Sequence, residues 1–299
     1  MKVVYADSYD IPIEGHPWPT EKYRRLLQRI LADGLVTERD VLHSQPAAEE
    51  DVLAIHSLAY IEKLESFSLS PEEEARLELP FTTAVVNLYW HFADGTILAA
   101  KDAVADGVCF HIGGGMHHAF PNYGSGFCIL NDLAIGARYA LEHGLAERIL
   151  IVDCDLHQGD GTAYIFAGEE RVFTFSMHQR LGFPYPKQKS DLDIPLPDGT
   201  GDDEYVRLLD EALDRIFVEG PRFDLILYQA GADPYAGDPL GSLALSMDGL
   251  RKRDELVFER AKAHGIPVAI TLGGGYAPDP DDVVQIHFNT AQAAHTILT

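Results

Sequence analysis

Short runs of β-branched and other apolar residues recur along the chain, and longer helical segments separate them. The apolar runs predict buried strands at 3–5, 108–111, 148–153, 171–176, 224–228 and 267–272. The segments between them predict helices near 18–33, 82–105, 131–143, 202–218, 247–264 and 280–297. Such alternation is typical of an α/β fold, in which a mostly parallel sheet carries helices on both faces.

The 299 residues contain no internal repeat, low-complexity tract or linker, so residues 1–299 are predicted to form one domain. Hydrophobic residues make up 46% of the chain and charged residues 23%, which is the composition of a globular protein. The segment 183–200 is rich in Pro and Asp and too long for a tight connection. We therefore expect a surface loop there.

Charge, cysteine content and hydropathy exclude several classes of protein. A formal net charge of −24 repels phosphates, so general nucleic-acid binding is not expected. Three cysteines without a framework spacing argue against a secreted disulfide scaffold. The first ten residues read as a strand rather than a signal peptide, and no apolar run reaches about 18 residues, the length of a membrane span. A cytoplasmic protein without a membrane partner is predicted.

Four unusual segments follow directly after predicted strands. They are HIGGGMHHAF (111–120), DCDLHQGDG (153–161), AGADPYAGDP (230–239) and LGGGY (272–276). Ligands of open parallel sheets bind at the carboxyl ends of the strands. The four segments are therefore predicted to form one site.

Metal-binding side chains are concentrated in two of these segments. Asp153, Asp155 and His157 alternate at a strand end, where residues two apart point to the same side, and Asp233 follows another strand. Two carboxylates and one imidazole suit a catalytic Zn²⁺ with a position open for water, although Fe²⁺ or Co²⁺ fit the same donors. The positions that a second ion would need are Gly or Tyr, so one metal ion is favoured over a binuclear manganese cluster.

Candidate acid–base groups lie in the neighbouring segments. His117 and His118 follow a glycine-rich turn, and Asp153 and Asp160 are available to orient their imidazoles. A water that attacks an amide needs a base and its leaving amine needs an acid, and two histidines with different partners can divide these roles. Tyr276 ends the loop 273–276 and is a candidate donor to the oxyanion.

Phe127 follows Gly126 in the segment GSGFC (124–128). Its spacing is about equally compatible with the wall of a narrow channel for an aliphatic chain and with a place in the core.

Taken in order, these motifs resemble the histone deacetylase family, which has the arginase–deacetylase fold. The resemblance extends over nearly the whole chain and includes HPWPTEKY (16–23), HSLAYI (56–61) and GSGFCILND (124–132) besides the four strand-end segments. The segments 199–205 and 240–258 look most like class IV deacetylases and their bacterial relatives.

The resemblance implies a role for each matching position. Asp155, His157 and Asp233 match the zinc ligands. His117 matches the histidine paired with Asp153, His118 matches the general acid–base histidine paired with Asp160, and Tyr276 matches the tyrosine that polarises the carbonyl. The implied substrate-channel positions are Gly126, Phe127, Phe183 and Leu240. A structural K⁺ is also implied, with Asp153, Asp155, His157, Ser176 and Met177 as its ligands.

The implied activity is a zinc-dependent removal of acetyl or longer acyl groups from a lysine side chain of a peptide or protein, or from a related small amine. The alternatives are an acetylpolyamine amidohydrolase, an arginase-like ureohydrolase with two metal ions and a catalytically silent acyl-lysine-binding module. The stretch before residue 100 shows no clear acidic residue of the kind with which class I enzymes grip the substrate backbone. No such residue is predicted.

Overall fold

Eight strands and ten helices make up the protein, which is described over all 299 residues as a computed structural model. The strands are β1 (Lys2–Tyr5), β2 (Val41–His43), β3 (Val108–His111), β4 (Ile149–Asp153), β5 (Val172–Gln179), β6 (Leu192–Leu196), β7 (Leu225–Gln229) and β8 (Val268–Thr271). The helices are α1 (Glu21–Ala32), α2 (Glu49–Leu53), α3 (Leu58–Glu65), α4 (Pro71–Leu77), α5 (Thr83–Asp106), α6 (Asp132–Glu142), α7 (Asp160–Ile165), α8 (Asp202–Glu219), α9 (Met247–His264) and α10 (Pro280–Leu298).

All eight strands belong to one parallel sheet with the order β2-β1-β3-β8-β7-β4-β5-β6. Every residue of β3, β4, β7 and β8 is buried, as expected for central strands that helices cover on both faces. Helix α5 packs on β1, β3 and β8 and against α6, while α10 packs between α1 and α9 in the other layer. The predicted α/β fold is confirmed.

One contiguous cluster of 88 buried apolar residues fills the space between sheet and helices. One continuous sheet and one continuous core agree with a single domain over residues 1–299, which stays a prediction. Among the helices, none is both long and apolar enough to cross a bilayer.

The expected surface loop at 183–200 is wrong in its second half, because Leu192–Leu196 forms the edge strand β6. Polar residues and Pro195 conceal the strand pattern. Proline is tolerated there because β6 pairs only with β5, so one side of its backbone needs no partner. The sequence prediction also missed β2, which has only three residues, and the short helices α2, α3, α4 and α7.

A buried arginine ties together the loops that follow β4 and β7. Arg253 of α9 is 0% exposed, and its Nη1 donates to the carbonyl of Cys154 at 3.2 Å and to that of Gly231 at 2.6 Å. Its Nε donates to Asp254 at 2.9 Å, and Asp254 also accepts from the hydroxyl of Thr290 at 2.6 Å. One side chain thus positions two strand ends and is held by a buried carboxylate.

We predict that Arg253→Met lowers the free energy of unfolding by about 3–5 kcal/mol, because it leaves the buried charge of Asp254 without its cation. Urea denaturation followed by circular dichroism measures the change. Arg251→Met, on the exposed face of the same helix, removes an ion pair to Glu255 and is expected to cost only about 0.5 kcal/mol. Equal losses of unfolding free energy in the two variants would contradict the role of Arg253 in holding the loops after β4 and β7 together.

Candidate metal centre

The loops after β4, β7 and β8 are joined by hydrogen bonds that use the carboxylates themselves. Asp155 accepts from the backbone N–H of Gly274 at 2.8 Å, and Asp233 accepts from that of Leu156 at 2.9 Å. Each carboxylate therefore has one oxygen engaged by a neighbouring loop and its position fixed before any ligand binds.

Asp155, His157 and Asp233 converge on one point. A donor atom from each lies within 4.8 Å of the other two, and His157 Nδ1 is 3.4 Å from Asp155 Oδ1 and 3.1 Å from Asp233 Oδ2. The fold thus brings Asp233 next to Asp155 and His157, although Asp155 and Asp233 are 78 positions apart in the sequence. Oxygen and imidazole donors at this spacing suit one divalent ion.

The electrostatics of this cluster favour an added cation. Asp155 and Asp233 are each 1% exposed and no lysine or arginine forms a salt bridge with either. Burial and the charge of Asp155 raise the pKa of Asp233 to about 7. Burial alone would lower the pKa of His157, but its hydrogen bonds to Asp155 and Asp233 raise it to about 10. The cluster attracts protons because two carboxylates are buried side by side, and a divalent metal ion can take the place of those protons.

Two histidine–aspartate pairs stand beside the cluster. The Nδ1–H of His117 donates to Asp153 at 2.7 Å, and the Nδ1–H of His118 donates to Asp160 at 2.7 Å. The two imidazole rings lie 4.0 Å apart, and His117 Nε2 is 3.7 Å from Asp155 Oδ1. Because Nδ1 is taken in each ring, Nε2 is the atom that remains for a substrate or a water.

The two histidines differ in charge although their partners are alike. Burial and the neighbouring His117 lower the pKa of His118 to about 4. Burial also disfavours the charge on His117, but the carboxylates of Asp153 and Asp155 outweigh it and raise the pKa of His117 to about 9. At neutral pH His118 is therefore the neutral ring, with a lone pair on Nε2.

A buried carboxylate that the sequence analysis did not single out shapes the turn before the histidine pair. Asp132 accepts from the backbone N–H of Gly115 at 3.0 Å and of Met116 at 2.7 Å. Gly114 and Gly115 have φ values of 69° and 89°, which glycine adopts without strain. A side chain at Gly115 would also overlap Gln229. Asp132 lies in the quoted motif GSGFCILND, but only the structure shows what it binds.

Aromatic side chains enclose the space above the cluster. Phe127, at φ 64°, contacts the ring of Tyr276 edge to face with 5.7 Å between centroids, and Phe183 contacts His118 in the same way at 4.7 Å. A Cβ on Gly126 would lie only 2.5 Å from the ring of Phe183. Gly126, Phe127, Phe183 and Leu240 line, together with Tyr276, a cavity of about 200 Å³ that opens to solvent. All four predicted channel positions thus meet at one pocket.

Tyr276 stands at the junction of this pocket and the metal centre. It lines the base of the pocket with His117, His118, Asp155 and His157. Its backbone N–H donates to Asp238 at 2.6 Å, and the same carboxylate accepts from Leu240 N at 2.9 Å. Burial and the charge of Asp233 raise the pKa of the phenol well above its ordinary value, so the hydroxyl keeps its proton. Asp238 belongs to the segment AGADPYAGDP, but only the tertiary structure shows that it holds the backbone of Tyr276 and Leu240.

An acidic residue does lie at the mouth of the pocket, contrary to the sequence expectation. Glu78 follows α4 with a φ of 55° and lines the opening together with Phe127 and Phe183. The sequence could not reveal it, because Glu78 is one of several glutamates in the segment 71–80 and only the fold selects which one faces the pocket.

The predicted potassium ligands are close together as well. Asp153 and Ser176 are paired residues of β4 and β5, Met177 follows Ser176, and Asp155 and His157 lie on the next turn of chain. Binding of K⁺ there stays a prediction.

Comparisons with known proteins give one consistent result. Residues 16–290 match the histone deacetylase domain family. The chain is 43% identical to an uncharacterized protein of Picosynechococcus over 99% of its own length and 98% of the relative, and 33% identical to histone deacetylase 2 of Arabidopsis thaliana over 92% and 74%. A crystal structure of a histone deacetylase homolog complexed with SAHA superposes with a TM-score of 0.85 at 28% identity, covering 99% of this chain and 84% of that one.

We predict that Asp233→Asn lowers the affinity for Zn²⁺ at least tenfold, because it removes one of the two anionic donors. Isothermal titration calorimetry of the metal-free protein with Zn²⁺ measures the dissociation constant. Asp203→Asn removes an exposed carboxylate on the first turn of α8 and is the matched control, with unchanged affinity expected. Tight one-to-one binding that survives Asp233→Asn would place the metal elsewhere.

Proposed function

The chain belongs to the histone deacetylase family, and on this basis we propose that it is a zinc-dependent amidohydrolase that removes acetyl or longer acyl groups from lysine side chains or related amines. One observation carries the proposal: the cluster of Asp155, His157 and Asp233 lies at the base of the same pocket as His118 and Tyr276. A metal-binding module without catalysis has no need of an oriented histidine pair beside its ligands.

The pocket supports an aliphatic amide as substrate. Its mouth encloses about 200 Å³ between two aromatic rings and Leu240, and its base reaches the metal centre. Apolar walls of this kind favour a chain of methylene groups, while His118 and His157 supply polar atoms toward the metal centre and Glu78 lines the rim. An acyl-lysine side chain fits this order of apolar stem and polar amide.

Asp155, His157 and Asp233 would hold the ion, and Zn²⁺ bound by them supplies Lewis-acid chemistry that polarises the acyl carbonyl and acidifies water. His118 accepts the proton of the attacking water on Nε2, since its ring is neutral and its Nδ1–H is held by Asp160. His118 then returns this proton to the leaving nitrogen. The Tyr276 hydroxyl donates to the oxyanion that forms on the carbonyl. The products are a free amine and a carboxylate.

The position of Glu78 is also compatible with a second class of substrate. An exposed carboxylate at the mouth also attracts a polycation, so an acetylpolyamine remains the alternative substrate for the same chemistry.

We predict that a chelator abolishes turnover of a fluorogenic acetyl-lysine substrate and that Zn²⁺ restores it, because the oxyanion and the attacking water both depend on the ion. Initial rates before stripping, after stripping and after addition of Zn²⁺, Fe²⁺ or Mg²⁺ provide the comparison. Activity that is indifferent to chelation would rule out the proposed function.

We also predict that His118→Ala lowers kcat by about 10²–10⁴ and Tyr276→Phe by about 10²–10³, while both variants bind Zn²⁺ as tightly as the parent. His143→Ala and Tyr139→Phe, which alter α6 and its end away from the pocket, are the matched controls. Near-normal rates in His118→Ala or Tyr276→Phe, at unchanged Zn²⁺ affinity, would refute the role assigned to that residue.

A further inference from the structure

A second groove opens beside the mouth of the catalytic pocket. It encloses about 490 Å³, within the range of about 300–1,000 Å³ that ligand sites occupy, and shares Glu78 and Phe183 with the mouth. Its other walls come from Arg76, Tyr123 and Tyr185. When the acyl group of a substrate lies in the pocket, the part of the substrate outside the mouth is therefore next to this groove.

The groove presents aromatic surface to solvent. Phe120 and Tyr123 are stacked with 4.7 Å between ring centroids, and Tyr185 on the opposite wall is 91% exposed. Exposed tyrosine in a concave site combines apolar contact area with a polar group, which is the composition of protein-binding surfaces. Phe120 is itself buried, so the exposed aromatic surface comes from Tyr185 and from part of Tyr123.

Both walls are held in place. The carbonyls of Arg76 and Leu77, at the end of α4, accept from Gly126 N at 3.2 Å and Phe127 N at 3.0 Å. On the other side, the side chain of Gln158 donates to the carbonyl of Gln188 and accepts from its N–H, both at 2.8 Å. The first pair of bonds fixes Arg76 relative to the channel, because Gly126 and Phe127 line that channel.

Arg76 is a cation without an ionic partner. Its guanidinium lies over the ring of Tyr123, 4.5 Å from the centroid, and it forms none of the protein's ion pairs. On α4, Glu73 is bound by Lys63 at 2.6 Å, and neither Glu72 nor Glu74 forms an ion pair with Arg76. Asp160, which also lines the groove, is bound by His118. A free guanidinium in a chain of net charge −24 is therefore available to an anionic ligand.

Resting on the proposed deacylase function, we propose that this groove binds the polypeptide that flanks the acylated lysine, and that Arg76 pairs with an acidic side chain there. Arginine and carboxylate form two parallel hydrogen bonds, which suits recognition at a rim. The Cα atoms of Arg76 and Glu78 are at most about 7 Å apart, so the acidic residue lies within one to three positions of the lysine. A polyamine has no carboxylate for Arg76.

The test uses acetyl-lysine peptides that carry Glu or Gln at each of three positions on either side of the lysine. The ratio of kcat/KM for each Glu and Gln pair is measured in the full-length protein and in Arg76→Gln, Arg76→Glu and Arg39→Gln. Arg39 is an exposed arginine before the amino end of β2, far along the chain from the groove, and serves as the matched control.

We expect at least one position at which Glu raises kcat/KM about fivefold over Gln, through a lower KM. The ratio falls to about one in Arg76→Gln, inverts in favour of Gln in Arg76→Glu and is unchanged in Arg39→Gln. A ratio near one at every position in the parent protein overturns the inference, as does a preference that survives Arg76→Gln.

Failure of the deacylase function itself gives a different result. If no peptide is turned over, fluorescence polarisation of the same labelled peptides still compares Glu and Gln binding in the parent protein and Arg76→Gln, with the same fivefold criterion. Turnover of acetylspermidine with a higher kcat/KM than every peptide would overturn the proposal that the groove binds a polypeptide. The proposed amidohydrolase chemistry would be unaffected by that result.

Discussion

The burial of two carboxylates side by side at the ends of β4 and β7 is the constraint on which the rest of the site depends. Asp155 and Asp233 are buried, face one another across His157 and have no basic side chain bound to them. Burying two carboxylates so close together is unfavourable unless a cation or protons compensate them. The surrounding chain accordingly supplies backbone N–H donors to both carboxylates, and the proposed divalent ion would compensate the rest of their charge.

The backbone of the neighbouring loops lies very close to the carboxylates of Asp155 and Asp233. A Cβ on Gly274 would overlap Asp233, and one on Gly231 would lie 2.5 Å from Asp155, so both loops need glycine at these points. Arg253 binds the carbonyls of both ligand-bearing loops from behind, and Asp132 holds the turn that leads to the histidine pair. Fixed donors of this kind let a site stabilise developing charge without reorganising.

The charge pattern changes from the centre of the site to its rim. Carboxylates surround the metal centre, aromatic rings line the channel, and Glu78 and Arg76 carry opposite charges at the opening. In the proposed function the apolar channel receives the aliphatic stem, and the rim contacts what that stem is attached to. The metal-binding cluster and the rim therefore come from different segments, with the rim formed by the end of α4 and the loop 183–188.

The sequence by itself determined the α/β class, six of the eight strands and the grouping of His117, His118, Asp155, His157 and Asp233 at one edge of a sheet. These inferences succeed because strand and helix periods are local, and because parallel strands bring their carboxyl ends to the same edge. Only the tertiary structure decided the rest. The edge strand β6 was missed because pairing with β5, not its own pattern, makes it a strand. Glu78, Arg76 and Asp238 were missed because their neighbours come from distant segments, and a charged residue has no role until the fold places a pocket beside it.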